Sequence, residues 1–312
     1  MSIRVLFAAR PDSWAEYEAP LRKAFEEAGI AAELGPDLGP PETVDYIIYA
    51  PNSAVQDFTP YLSTKAVLNL WAGVEDAVGN QTLTQPFARM VDKGLTQGMI
   101  EWVTGHVLRH HLGMDVHIRK AGEWDDLHHV PPLAGDRRVT ILGLGALGRA
   151  CGLMLASLGF AVTGWSRTPK QIDGITCLSG QSGLEQALGT SEILVLLLPL
   201  TAQTTNIIDE KALAMMPAGV VIVNPGRGPL IDDDALLAGL DSGHVAHATL
   251  DVFREEPLPG KHPFWANPNV TITPHIASET RPSSAARVIA ENIGRGEAGL
   301  SFLHLVDRAR GY

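Results

Sequence analysis

Hydrophobic and polar positions in the first third of the chain predict a small α/β domain. Apolar residues at 3–8 form a run that is typical of a strand, and apolar residues then recur at helical spacing over 14–28. Two further short apolar runs follow at 44–49 and 66–70, separated by loops that contain proline. Because strands and helices alternate, we expect a parallel sheet in a domain of residues 1 to about 100.

The rest of the chain repeats the same alternation more regularly. A long helical pattern runs from about Gly98 through at least His111, and the loop 125–136 ends it. Beyond this loop we predict six strands and five helices. The strands are 139–142, 161–165, 192–198, 220–223, 248–252 and 270–273, and the helices are 147–158, 184–188, 210–216, 232–240 and 284–293.

These patterns predict two α/β domains with a cleft between them. The larger one, residues 101–281, is expected to be a doubly wound parallel sheet of the Rossmann type. The smaller one, residues 1–100 completed by residues 282–312, is expected to be a flavodoxin-like α/β domain that forms a cap on the cleft. At 312 residues the chain is long enough for each domain to bury its own core.

A glycine-rich turn follows the first strand of the larger domain. Gly143, Gly145 and Gly148 have the spacing that permits a tight turn, brings backbone N–H groups close to a pyrophosphate and packs the helix on the strand. Three glycines also occur in ordinary turns, but here a strand precedes them and a helix and a second strand follow. We therefore predict that this turn, with Ala146 and Leu147, binds a dinucleotide at the helix N-terminus.

The end of the second strand of this domain indicates which dinucleotide is used. An NAD site has an acidic residue there to accept the ribose 2′-OH, but this chain has Ser166, Arg167 and Thr168. An arginine 4 Å from a 2′-phosphate contributes up to about 4 kcal/mol at an effective dielectric of 20, before desolvation. The sequence thus favours NADPH over NADH; the alternative is a solvent-facing Arg167, with the choice made elsewhere.

Composition and charge exclude several classes of function. The net charge of −11 and the lack of a basic patch argue against nucleic acid or an anionic membrane as a partner. The N-terminal residues lack the layout of a signal peptide and the apolar run 193–198 is too short to span a bilayer, so we expect a cytoplasmic protein. Cys151 and Cys177 are expected to be packing residues.

Several histidines raise the question of a metal site. His106 and His110 are four residues apart on the long helix, which places two imidazoles on one face. The glutamate of an HExxH motif is missing and no third ligand is evident, so we expect these histidines to be structural or solvent-facing. His128 and His129 are expected to be solvated, and no metal is expected.

Three polar residues follow strands of the predicted cofactor sheet. Arg227 lies between Gly226 and Gly228, Glu256 follows the strand 248–252, and His275 comes directly after the strand 270–273. Ligands of open α/β sheets bind outside the carboxyl ends of the strands. We therefore predict that these side chains meet in one pocket, where hydride transfer to a ketone needs a proton donor and an anion-binding group.

With these residues in place, the chain resembles the D-isomer-specific 2-hydroxyacid dehydrogenase family over nearly its whole length. The glycine turn, NPGRGPLIDDDAL at 224–236, LDVFREEPLP at 250–259 and VTITPHIAS at 270–278 occur in the family's order and spacing. TGWSRT at 163–168 and the closing VDRARGY resemble its glyoxylate/hydroxypyruvate reductase branch, whose members use NADPH.

The resemblance implies catalytic roles and a homodimer formed through the cofactor domains. His275 would donate a proton to the substrate's carbonyl oxygen, Glu256 would raise the pKa of His275, and Arg227 would bind the substrate carboxylate and stabilise charge on the reacting oxygen. Asp251 would help to position the nicotinamide. The other cofactor-lining residues that the resemblance implies are Pro199, Thr204, Asn224, Pro225 and Gly226.

The same resemblance assigns the substrate-binding turn and shows two departures. Trp71, Ala72 and Gly73 would bind the substrate carboxylate together with Arg227 and His275. Trp71 replaces a small residue and Glu75 replaces an aspartate of the family, so we expect a narrowed pocket for a short 2-oxoacid, glyoxylate or hydroxypyruvate. Two alternatives stay open, an NAD-dependent dehydrogenase of larger D-hydroxyacids and a nucleotide-sensing binding protein of the corepressor type.

Overall fold

The computed structural model describes residues 2–118 and 130–311, with the side chains of 117 and 118 left aside. The predicted loop 125–136 therefore lies partly outside the described residues, and His128 and His129 lie wholly outside them. The chain divides into two compact units, residues 1–95 with 279–312 and residues 96–278. The sequence analysis placed these boundaries at about residue 100 and at 281.

Twelve strands and nine α-helices occur in the described ranges. The strands are β1 Ile3–Ala8, β2 Ala32–Gly35, β3 Tyr46–Tyr49, β4 Ala66–Asn69, β5 Phe87–Ala88, β6 Arg138–Leu142, β7 Ala161–Ser166, β8 Thr176–Ser179, β9 Ile193–Leu196, β10 Val220–Asn224, β11 Val245–Leu250 and β12 Val270–Ile272. The helices are α1 Pro11–Glu27, α2 Glu75–Val78, α3 Lys93–His111, α4 Met114–Ile118, α5 Ala146–Ser157, α6 Gly180–Gly189, α7 Glu210–Met215, α8 Asp233–Asp241 and α9 Pro282–Glu297.

The smaller unit contains a five-stranded sheet. Its order is β2-β1-β3-β4-β5, and every neighbouring pair is parallel. This is the flavodoxin-like order, as predicted. The pattern missed β2 and β5 because these strands have only four and two residues, too few for a clear alternation. Helix α1 begins at Pro11 rather than at Trp14, since proline with its fixed φ is favoured in the first turn.

The larger unit contains a seven-stranded parallel sheet. Its order is β12-β11-β10-β9-β6-β7-β8, which is the Rossmann order with one strand added at the edge. The order reverses between β6 and β9, and dinucleotides bind at such a switch point. Strand β8 was not predicted, because its four residues are exposed or half-buried and carry little apolar signal.

Helices cover both faces of the larger sheet, and this explains the unbroken apolar strands. Strand β9 is buried along its whole length. One apolar core includes residues of α6, α7 and α8, and a second includes residues of α3 and α5. Cys151 lies in the second core and is 0% exposed, while Cys177 packs beside it, and both are free thiols. Within the described ranges no helix is both long and apolar enough to cross a membrane.

Candidate active site

The glycine turn lies between β6 and α5, at the switch point of the sheet. Gly143 has φ +107°, a conformation that side chains disfavour, and its N–H donates to Trp165 O at 2.8 Å. A Cβ at Gly148 would collide with the carbonyl of Gly143, so this glycine lets α5 pack onto β6. Two of the three glycines are therefore required by the fold itself.

Gly145 differs from the other two glycines because no protein atom requires it. This residue caps the N-terminus of α5 with φ −72°, and a Cβ built there would meet no atom within 4 Å. Gly145 and Ala146 are exposed at a helix terminus whose N–H groups carry partial positive charge. A cradle that a side chain would fill, at the N-terminus of a helix, fits a pyrophosphate.

The next strand ends in the polar residues that were predicted to select the cofactor. Ser166 is buried, and its hydroxyl donates to Thr168 O at 2.8 Å, which shapes the turn after β7. Arg167 and Thr168 are exposed. The ammonium of Lys170, a residue that the sequence analysis did not single out, donates to Leu144 O in the glycine turn at 2.6 Å.

The residues predicted to line the cofactor site after β9 shape their own loop. The hydroxyl of Thr204 donates to Pro199 O at 2.7 Å and accepts from the N–H of Thr201 at 2.8 Å. Both Pro199 and Thr204 are half-buried. Their side chains thus fix the backbone at the carboxyl end of β9, beside the switch point.

The loop after β10 holds Arg227 rigidly. The Asn224 amide is 1% exposed, donates to Arg227 O at 2.9 Å and accepts from Gly226 N at 3.1 Å. A Cβ at Gly228 would collide with the backbone of Phe253, and one at Gly226 would lie 2.8 Å from Leu196 O. These glycines permit close packing of the Arg227 loop on Phe253 and on Leu196 of β9. Pro225 is buried between them and β10.

His275 and Glu256 form the central pair of the site. Nδ1 of His275 lies 2.6 Å from Oε2 of Glu256, and the other carboxylate oxygen accepts from Phe253 N at 2.8 Å. The His275 side chain is 52% exposed, so its outer nitrogen Nε2 faces accessible space. The backbone of His275 has φ +55°, an uncommon conformation that a tight loop must enforce.

The contact between His275 and Glu256 shifts the pKa values of the two side chains in opposite directions. The hydrogen bond to Glu256 raises the pKa of His275 and outweighs burial and the charge of Arg227, which oppose it. Burial would raise the pKa of Glu256, but the bonds from His275 and Phe253 and the charge of Arg227 lower it. The geometry therefore favours a protonated imidazole beside an ionised carboxylate.

Arg227 belongs to the same electrostatic group. It is half-buried, its charge acts on both members of the pair, and one of its guanidinium nitrogens donates to Gly226 O at 2.6 Å. Arg227, Glu256 and His275 follow β10, β11 and β12, which are neighbours in the sheet. The three residues that were inferred to meet thus lie at one edge of one unit.

Asp251 anchors the loop that carries His275. Its carboxylate is 1% exposed and accepts from Ile276 N at 2.9 Å, Ala277 N at 2.8 Å and the Thr273 hydroxyl at 2.5 Å. Its carbonyl also accepts from His275 N at 2.8 Å. The sequence analysis gave Asp251 a place near the nicotinamide and overlooked Thr273. Only the pairing of β11 with β12 brings these two residues together.

The predicted substrate-binding turn lies in the smaller unit, after β4. The buried amide of Asn69 donates to Trp71 O and to Gly73 O, both at 3.0 Å, which turns these carbonyls inward. The backbone N–H groups of Ala72, Gly73 and Val74 have no acceptor among the described residues. Three unpaired donors in one turn suit an anion. Trp71 is 39% exposed.

The two histidines of α3 both pack against other rings. His106 packs against Trp102, with ring centroids 4.3 Å apart. His110 instead packs against His247 of β11, with centroids 4.8 Å apart. Burial lowers the pKa of His106, and burial with the neighbouring His247 and Arg109 lowers the pKa of His110 to about 3. Both imidazoles are half-buried, and His110 lies beside His247, a neighbour that the helical spacing did not reveal.

Comparison with known families matches the larger unit. The family model described as D-isomer specific 2-hydroxyacid dehydrogenase, NAD binding domain, matches residues 103–277. This match contains the glycine turn together with Arg227, Glu256 and His275.

Individual relatives match most or all of the chain. The glyoxylate/hydroxypyruvate reductase A of Yersinia enterocolitica is 41% identical over 259 residues, which is 80% of this chain and 82% of that protein. A D-isomer specific 2-hydroxyacid dehydrogenase from Xanthobacter autotrophicus Py2, solved with NADPH and MES, has a TM-score of 0.93 at 40% identity and full coverage of both chains. An NADPH-dependent glyoxylate/hydroxypyruvate reductase from Sinorhizobium meliloti, solved with NADP and sulfate, has a TM-score of 0.86 at 34% identity and full coverage of both chains.

Proposed function

Because the chain belongs to the D-isomer specific 2-hydroxyacid dehydrogenase family, we propose that it reduces a small 2-oxoacid to the 2-hydroxyacid with NADPH. Glyoxylate and hydroxypyruvate are the substrates of the proposal. In this proposal the larger unit binds the cofactor and the smaller unit supplies the substrate-binding turn. The observation that carries it is the pair of His275 and Glu256, 2.6 Å apart at the same sheet edge as Arg227.

The mechanism follows from the protonation states of this group. When bound, NADPH supplies the hydride that reduces the carbonyl carbon. His275, kept protonated by Glu256, donates its Nε2 proton to the carbonyl oxygen, which would otherwise become an alkoxide. Arg227 stabilises negative charge on that oxygen and binds the substrate carboxylate, for which a planar set of donors is well suited. His275 is neutral after turnover and regains its proton from solvent.

Cofactor selection is assigned to the turn after β7. Arg167 is exposed at the position where an NAD site has a carboxylate, and Ser166 and Thr168 shape the turn around it. An aspartate there would repel the 2′-phosphate, whereas arginine attracts it. NADPH is therefore the preferred cofactor of the proposal, and NADH is accepted less well.

Substrate size is assigned to the turn after β4. The unpaired N–H groups of Ala72 and Gly73 suit the substrate carboxylate. The indole of Trp71 narrows the space that remains for the side chain of the substrate. Short 2-oxoacids satisfy both conditions. Large branched 2-oxoacids would meet the indole ring.

The proposal also covers assembly and location. Apolar side chains at 112–116 and at 130–133 are exposed by 38% to 82%, and exposed apolar surface is typical of protein–protein contacts. They are Leu112, Met114, Val116, Val130 and Leu133. We assign this surface to a homodimer formed through the larger unit, testable by light scattering. Two free cysteines are compatible with a reducing cytoplasm.

A panel of 2-oxoacids assayed with NADPH and with NADH tests the proposed function. We expect the highest kcat/KM with glyoxylate or hydroxypyruvate and NADPH. Comparable turnover of large branched 2-oxoacids would contradict the substrate assignment, and a preference for NADH would contradict the cofactor assignment. Tight NADPH binding without turnover of any 2-oxoacid would indicate a sensing protein instead.

A further inference from the structure

A cluster of two histidines and one aspartate lies in the larger unit, outside the proposed active site. His110 is on α3, Asp115 is on α4 and His247 is on β11. One potential ligand atom from each residue lies within 4.8 Å of the other two. Such nitrogen and oxygen donors in one place are the ligand types of zinc and related ions.

We propose that His110, Asp115 and His247 form a binding site for one divalent transition-metal ion of the zinc class. The site is independent of the proposed reductase activity. The donor set excludes magnesium and calcium as preferred ions, because these require mainly oxygen ligands. Solvent water completes the coordination, since the Asp115 side chain is 24% exposed.

The distances require only a small contraction. A tetrahedral zinc ion with bonds of about 2.0–2.1 Å separates its ligand atoms by about 3.3 Å. Closing 4.8 Å to this value shortens the separation by about 1.5 Å, and the proposal assigns this change to rotation of the three side chains. Helix α4 follows α3 after two residues, so His110 and Asp115 are already held close together.

Threonine hydroxyls orient both imidazoles. Nε2 of His110 lies 2.8 Å from Oγ1 of Thr249, and Nε2 of His247 lies 2.8 Å from Oγ1 of Thr271. When Nε2–H donates to the hydroxyl oxygen, Nδ1 carries the lone pair that a metal ion requires. A hydrogen bond from the second ring nitrogen is the usual way in which proteins fix a ligating histidine.

Arg109 orients the aspartate in a comparable way. Its Nε and one terminal nitrogen both lie 2.8 Å from Oδ1 of Asp115. No described residue donates to Oδ2, which is thus the oxygen for the metal. Ligating carboxylates are commonly held by hydrogen bonds of this kind.

Titration of tag-free, chelator-stripped protein with Zn²⁺, in competition with a chromogenic chelator, measures the site directly. We expect one equivalent to bind, and Co²⁺ to give the visible absorption of a four-coordinate nitrogen and oxygen site. Mg²⁺ at the same concentration should not compete. A lack of saturable binding of Zn²⁺ or Co²⁺ would overturn the proposal.

Single substitutions distinguish this cluster from other histidines. H110Q and D115N should each weaken Zn²⁺ binding at least tenfold, and T249V, which removes only the orienting hydroxyl, by about tenfold. H106Q is the matched control on α3, because it removes a neighbouring histidine outside the cluster. The double variant H128Q/H129Q controls for histidines outside the described residues, and both controls should bind Zn²⁺ as the parent does.

H247Q is the third ligand variant, but His247 is only 8% exposed and its loss affects packing. Circular dichroism and NADPH affinity therefore accompany every variant. If H247Q does not fold, the Zn²⁺ affinity of D115N tests the site instead, because asparagine has nearly the shape of aspartate and the position is partly exposed. Unchanged Zn²⁺ affinity in folded D115N and H110Q would overturn the site whatever the activity of the enzyme.

Discussion

His275 and Glu256 are joined by a hydrogen bond of 2.6 Å between Nδ1 and Oε2, while Nε2 of His275 stays accessible. The imidazole is therefore oriented on one side and able to transfer a proton on the other. Both residues lie outside regular elements, in loops after neighbouring strands. This arrangement places the chemistry in loops and the rigidity in the sheet.

Replacing His275 by alanine tests the proton donor. H275A should lower kcat for glyoxylate reduction by about 10²–10⁴-fold, the usual contribution of a positioned general acid. NADPH affinity, measured by fluorescence titration, should change little because the glycine turn is intact. A variant that retains most of its kcat would show that another group supplies the proton.

Replacing Glu256 by glutamine tests the raised pKa. The activity of a general acid falls as pH rises through its pKa, and the hydrogen bond to Glu256 raises the pKa of His275 from its ordinary value. In E256Q the descending limb of kcat/KM against pH should therefore move to lower pH. The neighbouring, exposed Glu255 provides the control, because E255Q removes the same charge without the hydrogen bond and should leave the profile in place.

Gly145 and Gly148 should respond to substitution in opposite ways. G145D adds a favourable helix cap where no protein atom interferes, so we expect unchanged stability but loss of NADPH binding through volume and charge. G145N separates the two effects, since it has nearly the same size and no charge. G148A should instead lower the free energy of unfolding by about 1–3 kcal/mol, because its Cβ collides with Gly143. Equal unfolding transitions for G145D and G148A would contradict this assignment.

Replacing Arg167 by aspartate tests cofactor selection. R167D should lower kcat/KM with NADPH by about 10²-fold or more, as attraction of a few kcal/mol becomes repulsion, and leave NADH less affected. K211D makes the same charge change at an exposed residue of α7 and should keep the preference for NADPH. An R167D enzyme that still prefers NADPH would mean that the selection is made by other residues.

Replacing Asp251 by asparagine tests the anchor of the His275 loop. The amide cannot accept all three hydrogen bonds that the buried carboxylate accepts, and one unpaired buried group costs about 1–3 kcal/mol. D251N should therefore lower both the melting temperature and kcat. T273V, which removes one of these hydrogen bonds, should lower the melting temperature and kcat by less. T273S keeps the hydroxyl and should have the melting temperature and kcat of the parent protein. A loss of stability with kcat unchanged would limit Asp251 to a structural role.

Much of the fold was determined by local sequence. Apolar runs with intervening helical patterns predicted two parallel α/β units, and the glycine turn was located because a strand, a helix and a second strand surround it. The helix predicted over 232–240 occurs as α8, and the carboxylate of Asp232 caps its start by accepting from Ala235 N at 3.0 Å. Strands β2, β5 and β8 escaped because two to four residues carry no clear period.

Sequence alone predicted that His275, Glu256 and Arg227 lie at strand ends, because each follows a recognisable strand, and residues at strand ends meet at one edge of a parallel sheet. Only the tertiary structure decided which atoms pair, that Asp251 binds the loop of His275, and that His110 packs on His247 rather than beside His106. The spacing of apolar residues indicates whether one segment is a helix or a strand. The contacts named here join residues of different elements, so their geometry depends on how those elements pack.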